Sequence, residues 1–441
     1  MVKTAWRFGA EIECLVEVDL EVCLTKTEIA ELQQVEFSTA SETSITPGEQ
    51  RIIRDRIFKK IYDHIATKIG QILARTAPSE SLRVFREDDS STHAFITWML
   101  EYDGSIQRDD GAKVSQIPVE LYSPILRHEP ENPLGWRSSM KVILEAFNQT
   151  YDMKVNKSCG MHVHISPISG EWELDSLKKL SYCILWFEEA LELLYPDERR
   201  QTVQWGKANY AHNPRFQKKT GDDDDHLEVK QVKKDISECA NQIAIRTDIV
   251  SLVHLMNPPS RSAANQSDEP DRYYAWNFTN LIEGETRTVE YRRPPSKTKS
   301  KDCEPWLWLS VAFVDAAVQI DTVQFNDNGG TLRRKYPNRT VEDLKVFLRT
   351  SLEREKGRGL NHTKVRQMCR PILHNKGGKM EVQPMKPLTD AELYALEEKK
   401  DRKKFDIMKE RMVNANKAGV EHVVTPQIEG MVLEDDDAES D

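Results

Sequence analysis

Pairs of acidic or imidazole side chains recur two residues apart in strand-like segments of this chain. Glu11 and Glu13 form one pair, and His162 and His164 form another. Since successive side chains of a strand point to opposite faces, each pair presents both groups on one face. Such groups can bind divalent metal ions. Taken singly, the glutamate pair also fits an edge strand with a charged outer face, and the histidine pair fits two hydrogen-bonded histidines in a sheet.

Further carboxylates in other strand-like segments favour the metal hypothesis. They are Glu101 and Asp103, then Glu120, and finally Glu290 with Arg292 two residues later. Buried carboxylates repel one another and lose hydration, so a fold that gathers them needs cations. Glu101 and Asp103 are left open as members of the site. The candidate metal ligands are therefore these carboxylates together with one or both of His162 and His164.

The donor types indicate which metal is expected. Carboxylate oxygens with one or two imidazoles and no thiolate suit Mg²⁺ or Mn²⁺ better than zinc. Because Mg²⁺ in enzymes usually works with phosphate groups, ATP is the expected cofactor. The sequence has neither a G-x-x-x-x-G-K-[ST] loop nor a G-x-G-x-x-G motif, so ATP would be held through metals and through arginines such as Arg292 or Arg293.

The pattern of apolar residues predicts the strands and helices that position these groups. A partly buried strand is predicted over residues 6–18, a hairpin over 95–102 and 115–122, a strand over 160–166 and two more within 273–294. Helices are predicted over 51–75, 134–150, 173–195 and 305–323, the last beginning just after Pro305, with another helical region around 340–355 and a loop over 36–50.

Composition excludes several classes of protein. With 441 residues, 39% of them hydrophobic, the chain can bury a core in one large domain or two modest ones. A net charge of -10 argues against a nucleic-acid partner. The sequence shows neither a membrane span nor a signal peptide, which favours a cytoplasmic protein. Seven cysteines without a Cys-x-x-Cys pair fit neither a disulfide framework nor structural zinc, and Cys159 is expected in a tight turn rather than as a nucleophile.

The ordered combination of motifs resembles the carboxylate–amine ligase superfamily that includes glutamine synthetase and glutamate–cysteine ligase, and most closely its amidoligase branch. CGMHVH at 159–164 is especially close to its glutamine synthetase counterpart. The resemblance spans about residues 6–295. Its segments are FGAEIE at 8–13, EYDGSI at 101–106, VELYSP at 119–124, SCGMHVHIS at 158–166 and RTVEYRRPP at 287–295.

The resemblance implies an α+β fold in which a curved, mainly antiparallel sheet is lined with metal ligands and packed by helices, as in glutamine synthetase. By position, the resemblance implies that two or three divalent metals are held by Glu11, Glu13, Glu120, His162 and Glu290. It also implies that His164 and Arg292 face the nucleotide or the transferring phosphoryl group. Asn277, with Tyr274 and Asn280, resembles nucleotide or substrate contacts. We expect a catalytic domain over 1–330, a helical appendage over 331–374 and a charged, largely disordered tail over 375–441.

The implied reaction is ATP-dependent formation of an amide through an acyl phosphate. The carboxylate and amine substrates are left open among small molecules, peptides and proteins, as is the oligomeric state. Two alternatives remain: a metal-dependent amide hydrolase that activates water, and an inactive scaffold that binds metal or nucleotide. Dependence of product formation on ATP separates the ligase from the hydrolase. Coupled binding of metal and ATP separates the ligase from the scaffold.

Overall fold

A mostly antiparallel sheet forms the centre of the protein. The computed structural model describes residues 6–37, 45–85, 96–103, 105–109, 111–128, 135–196, 206–220, 230–259, 269–282, 287–320, 330–355, 370 and 372–373. The strands in chain order are β1 (Trp6–Glu17), β2 (Leu82–Val84), β3 (Trp98–Glu101), β4 (Gln116–Tyr122), β5 (Leu126–His128), β6 (Met153–Lys154), β7 (Met161–Pro167), β8 (Gln217–Thr220), β9 (Lys230–Lys233), β10 (Trp276–Asn277) and β11 (Val289–Tyr291).

Nine of these described strands form one sheet, with β1 at its centre. The order across the sheet is β10-β11-β7-β1-β4-β3-β2, and β5 and β6 also pair with β1. β2 and β3 run parallel, whereas the other pairs among these nine strands run antiparallel. β8 and β9 form a separate two-stranded sheet. The observed class is therefore α+β with an open, mostly antiparallel sheet.

β1 has an apolar face and a polar face because its side chains alternate. Trp6, Phe8 and Ile12 are buried on one face, and Glu11 and Glu13 lie on the other. A slip of one residue in its pairing would exchange the two faces, so burial of the apolar set fixes the register.

Helices cover the apolar face of the sheet. One of them, over Ser300–Val318, contacts β1 and β7 and is itself packed by the helices over Arg137–Thr150, Leu174–Glu192 and Val341–Glu355. Within the described residues, no helix combines the length and the apolar character needed to cross a membrane. The helices are α1 (Lys26–Phe37), α2 (Pro47–Thr76), α3 (Arg137–Thr150), α4 (Leu174–Glu192), α5 (Ile236–Ala244), α6 (Ile249–Met256), α7 (Ser300–Val318), α8 (Gly330–Lys335) and α9 (Val341–Glu355).

Aromatic stacking and a buried hydrogen bond join the helices to the sheet. The rings of Trp276 and Tyr291 stack with centroids 4.2 Å apart, and the Phe313 ring of α7 lies 5.3 Å from that of Trp276. The Trp6 indole of β1 donates a hydrogen bond of 2.9 Å to Asp315 Oδ1 of α7. One helix therefore fixes β1, β10 and β11 relative to one another.

The predicted strands and helices are largely confirmed, with differences at their ends. The predicted loop over 36–50 is wrong in its last residues, because Thr46 and Glu49 form a capping box and Pro47 begins α2. α7 begins at Ser300, so Pro305 lies inside the helix, where its missing N–H forfeits a backbone hydrogen bond. The predictions do not include α1. The tail predicted over 375–441 and Phe95 of the predicted hairpin lie outside the described residues.

A buried ion pair fastens the end of β11 to α4. Arg293 Nη1 lies 2.6 Å from Glu192 Oε2, and Arg293 Nη2 donates a hydrogen bond of 2.7 Å to Glu192 Oε1. The guanidinium also lies 4.9 Å from the centroid of the Tyr195 ring. This two-point contact holds Arg293 on the helix-covered face of the sheet.

Removing only one partner of this pair should destabilise the protein. We expect Glu192→Gln to lower the free energy of unfolding by about 3–5 kcal/mol, because it removes the carboxylate charge that pairs with the buried Arg293 guanidinium. Urea unfolding at neutral pH measures the change. The double variant Glu192→Leu/Arg293→Met should recover most of the loss. A loss below ~1 kcal/mol in Glu192→Gln would show that the pair is not buried as described.

Candidate metal centre

The strand registers bring all five predicted ligands and His164 to the polar face of the sheet. Residues opposite one another in a register have their side chains on the same face. β1 pairs with β4 on one side and with β7 on the other, and β7 pairs with β11. The opposed pairs are Glu13 with Glu120, Glu11 with His162, and His164 with Glu290.

Potential ligand atoms converge in three overlapping groups. Within each group, one atom from each side chain lies within 4.8 Å of the others. Glu11 belongs to two groups and Glu120 to two, so the groups form one extended cluster. Glu101 lies opposite Glu120 in the β3–β4 register but is in none of the three. The groups are Glu11, Glu120 and His162; Glu11, His164 and Glu290; and Glu13, Asp103 and Glu120.

The Glu11 carboxylate lies between the two imidazoles. His162 Nδ1 is 2.8 Å from Glu11 Oε2, and His164 Nε2 is 2.9 Å from Glu11 Oε1. The second contact is an ion pair whose angles do not suit a hydrogen bond. The other ring nitrogen of His164 is 3.1 Å from Thr288 Oγ1. Thr288 therefore helps to orient His164 towards Glu11.

These contacts change the protonation of Glu11 and His164. Burial raises the pKa of Glu11, but the imidazoles of His164 and His162 outweigh burial and hold that pKa well below its ordinary value. Burial lowers the pKa of His164, but the carboxylates of Glu11 and Glu290 outweigh burial and raise it to about 9. At neutral pH His164 therefore carries a proton and provides a counter-charge to the neighbouring acids.

Glu120 experiences the opposite effect. Its burial, together with the carboxylates of Glu11, Asp103 and Glu13, raises the pKa of Glu120 well above its ordinary value. Tyr122 Oη donates a hydrogen bond of 2.8 Å to Glu120 Oε2, which only partly offsets the repulsion. This part of the cluster therefore has an excess of negative charge that a divalent cation would balance.

Asn277 and Arg292 hold Glu290 in place. Asn277 Nδ2 donates a hydrogen bond of 2.8 Å to Glu290 Oε2, and the Arg292 guanidinium donates to Glu290 Oε1. Although burial raises the pKa of Glu290, Arg292 and the imidazoles outweigh burial and lower it. Of the two arginines expected to reach a nucleotide, Arg292 faces this cluster, whereas Arg293 points to the other face and pairs with Glu192. Of the two alternatives, Arg292 therefore remains the candidate for a nucleotide contact.

Local backbone structure fixes the two acids at the other end of the cluster. The Gly160 N–H donates a hydrogen bond of 2.5 Å to Glu13 Oε2. Asp103 Oδ1 accepts a hydrogen bond of 2.7 Å from the Ser105 N–H, and Oδ2 accepts one of 2.7 Å from Ser105 Oγ. Cys159, next to Gly160, is buried in a turn closed by its N–H and the Asn156 carbonyl.

Sequence reasoning missed two side chains that orient the cluster, although a signal was present. Tyr122 lies two residues after Glu120 and Thr288 lies two residues before Glu290, so strand alternation places both on the same face as the acids. Asn280 Nδ2 lies 3.5 Å from His164 Nδ1, at the margin of the cluster. Tyr274 is instead buried beside Lys207, whose Nζ is 6.0 Å from the centroid of the tyrosine ring.

Comparison with known proteins identifies one matching family. Residues 4–314 match the model of the family described as "Putative amidoligase enzyme". The matched range is more than half of the chain and contains every residue of the cluster. No curated protein matches the chain.

The repulsion at Glu120 predicts that Glu120→Gln stabilises the metal-free protein at neutral pH. The raised pKa means that folding favours the protonated carboxyl, so this group costs stability increasingly as pH rises above the ordinary value of 4.5. Melting in the presence of EDTA should show a gain of a few degrees, since ~1 kcal/mol moves the midpoint of a large domain by roughly 2 °C. The gain should vanish near pH 4, where the Glu120 carboxyl is protonated and is therefore as neutral as the glutamine that replaces it. A lower melting temperature for Glu120→Gln at pH 7 would contradict the described electrostatics.

Proposed function

Because the chain belongs to the family described as putative amidoligase enzyme, it belongs to an enzyme class that forms C–N amide bonds, and we propose that it uses ATP and Mg²⁺, or Mn²⁺, to do so. The proposed reaction is that of a carboxylate–amine ligase with an acyl-phosphate intermediate. The observation that carries the proposal is the convergence of the three overlapping ligand groups on one face of the sheet. The order of the motifs, which resembles that of glutamine synthetase, supports the same reaction.

The donor set fits hard divalent cations. Carboxylate oxygens predominate in every group, and imidazole is present in two of the three. Glu11, His162 and Glu290 would hold an ion at one end of the cluster, and Glu13, Asp103 and Glu120 would hold another. When bound, such ions neutralise the charge of the triphosphate and of the transferring phosphoryl group.

Arg292 provides a fixed positive group beside the cluster. Its guanidinium donates to Glu290 and lies 5.9 Å from the centroid of the Tyr273 ring, so its position is fixed from two sides. Guanidinium groups recognise phosphate oxygens through paired hydrogen bonds. We assign Arg292 and the proton-bearing His164 to the γ-phosphate. Asn277 holds Glu290 and is therefore assigned a positioning role near the nucleotide.

In the proposed reaction, an oxygen of the substrate carboxylate attacks the γ-phosphorus of ATP, and the bond to the bridging oxygen of ADP breaks. The amine nitrogen then attacks the acyl carbon, inorganic phosphate leaves and the amine loses a proton. Negative charge develops on the phosphoryl oxygens in the first step. Arg292 stabilises that charge without having to reorganise, because Glu290 and Tyr273 already hold its guanidinium.

An assay of ADP release tests the reaction class. The full-length chain is incubated with ATP, Mg²⁺ and a mixture of metabolites and short peptides, and new amide masses are sought by mass spectrometry. We expect ADP and new amides to appear together and to require Mg²⁺. Hydrolysis products that form without ATP would indicate the metal-dependent hydrolase instead. Metal binding with no ATP affinity would indicate an inactive scaffold.

Neutral variants of the acids test the site. We expect Glu13→Gln and Glu290→Gln each to reduce Mg²⁺-dependent ATP turnover by on the order of 100-fold, because each loses a charged ligand. Glu17→Gln is the matched control: Glu17 lies on β1 and the same face, but its carboxylate contacts Ser115 and Lys154 rather than the cluster. Circular dichroism and melting temperature check that the variants fold. Full turnover in both cluster variants would refute the site.

A further inference from the structure

A row of polar side chains crosses the sheet at the start of β1, on the face that bears the acidic cluster. Arg7 precedes Glu11 by four residues and therefore points to the same face. Ser166 of β7 is opposite Arg7 on one side, and Arg127 of β5 is opposite it on the other. Arg7 and Arg127 therefore carry their guanidinium groups side by side on this face of the sheet.

Arg7 is held in a defined position. Its Nε donates a hydrogen bond of 2.8 Å to the buried Ser166 Oγ. Gly170 has a positive φ of 84°, and a Cβ added there would lie 2.7 Å from Arg7 Nη2. A glycine at this turn therefore leaves the space that the guanidinium occupies. Among the acids in the described part of the chain, none forms an ion pair with Arg7.

Gly9 leaves a gap in the row of β1 side chains between Arg7 and Glu11. At ~3.3 Å per residue, Gly9 lies about 7 Å and Glu11 about 13 Å along the strand from Arg7. Gly9 contributes no side chain, and a Cβ there would meet only Ser123 Oγ, at 3.9 Å. Along this face, β1 therefore presents the Arg7 guanidinium first, then Gly9, which has no side chain, and then the acids that begin at Glu11. A ligand lying along β1 can contact both ends of this surface.

We propose that Arg7, with Arg127 beside it, binds an anionic group of a reactant whose reacting end lies at the acidic cluster. The inference rests on the proposed function and narrows its substrate class: one reactant carries a second carboxylate or phosphate, separate from the group that forms the new amide bond. The planar guanidinium of Arg7, already fixed through Nε, presents its remaining N–H groups in the geometry that suits a carboxylate or phosphate. A phosphate of ATP is the other source of such an anion.

Protection of Arg7 from phenylglyoxal, which modifies accessible guanidinium groups, tests the proposal on the full-length protein. The probes, each added with Mg²⁺, are glutarate, the uncharged glutaramide and ATP, and modification is quantified for individual arginines by peptide mass spectrometry. Arg75, exposed near the end of α2, is the control. We expect glutarate to slow modification of Arg7 at least 3-fold, glutaramide to have no effect and Arg75 to react equally throughout.

The other outcomes separate the sources of the anion. Protection by ATP but not by glutarate would assign the row to a nucleotide phosphate and overturn the inferred reactant class. Equal modification of Arg7 with every probe would overturn the anion site itself. In Arg7→Met, protection of Arg127 by glutarate should disappear, because the two guanidinium groups act on one anion. Arg127 protection that persists in this variant would contradict a shared site.

A parallel titration distinguishes this inference from the proposed function. Binding of Mn²⁺ and of ATP to the same preparation is measured by calorimetry. If the chain binds neither Mn²⁺ nor ATP, the proposed function is contradicted, and so is the inferred reactant class that rests on it. A chain that binds both, yet leaves Arg7 unprotected by glutarate, contradicts the inference alone.

Discussion

Repulsion among carboxylates gathered on one sheet face is the constraint on which the rest of this structure depends. Glu11, Glu13, Glu120 and Glu290 lie close together, with limited access to water, and Asp103 approaches two of them. Such a group is tolerated only with compensating positive charge or bound protons. The protein supplies part of the compensation itself, through the protonated imidazole of His164 and the guanidinium of Arg292, but Glu120 retains a raised pKa. The remaining imbalance is what makes a divalent cation favourable here.

The fold confines this electrostatic cost to one face of the sheet. The alternation of β1 places tryptophan, phenylalanine and isoleucine side chains against the helices and its acids on the opposite side. The same separation operates beyond β11, where Arg292 contacts the cluster and Arg293, the next residue, pairs with Glu192 of α4. Packing of the helices therefore fixes the backbone that carries the acids, and the cluster does not need to contribute to stability.

Much of the site was predictable because strand alternation is a local property. Glu11 with Glu13, and His162 with His164, share a face whatever their neighbours are. Register is not local: the approach of Asp103 to Glu13 and Glu120 depends on how β3 and β4 pair and on the turn that Ser105 stabilises. Arg292 and Arg293 are alike in residue type, but alternation places Arg292, two residues after Glu290, on the face of the acids and Arg293 on the other face. The start of α2 was readable from the Thr46–Glu49 capping box, whereas the extension of α7 beyond Pro305 depends on its packing in the core.

The most direct test of the central claim is a count of metal ions at the cluster. Electron paramagnetic resonance of Mn²⁺ titrated into the full-length protein reports both the number of bound ions and their proximity. The overlapping ligand groups predict at least two Mn²⁺ ions per chain with spectra broadened by mutual coupling, and Glu11→Gln, which removes a charged ligand common to two groups, should abolish the coupled signal. A single isolated ion, or a coupled signal that survives in Glu11→Gln, would contradict the account.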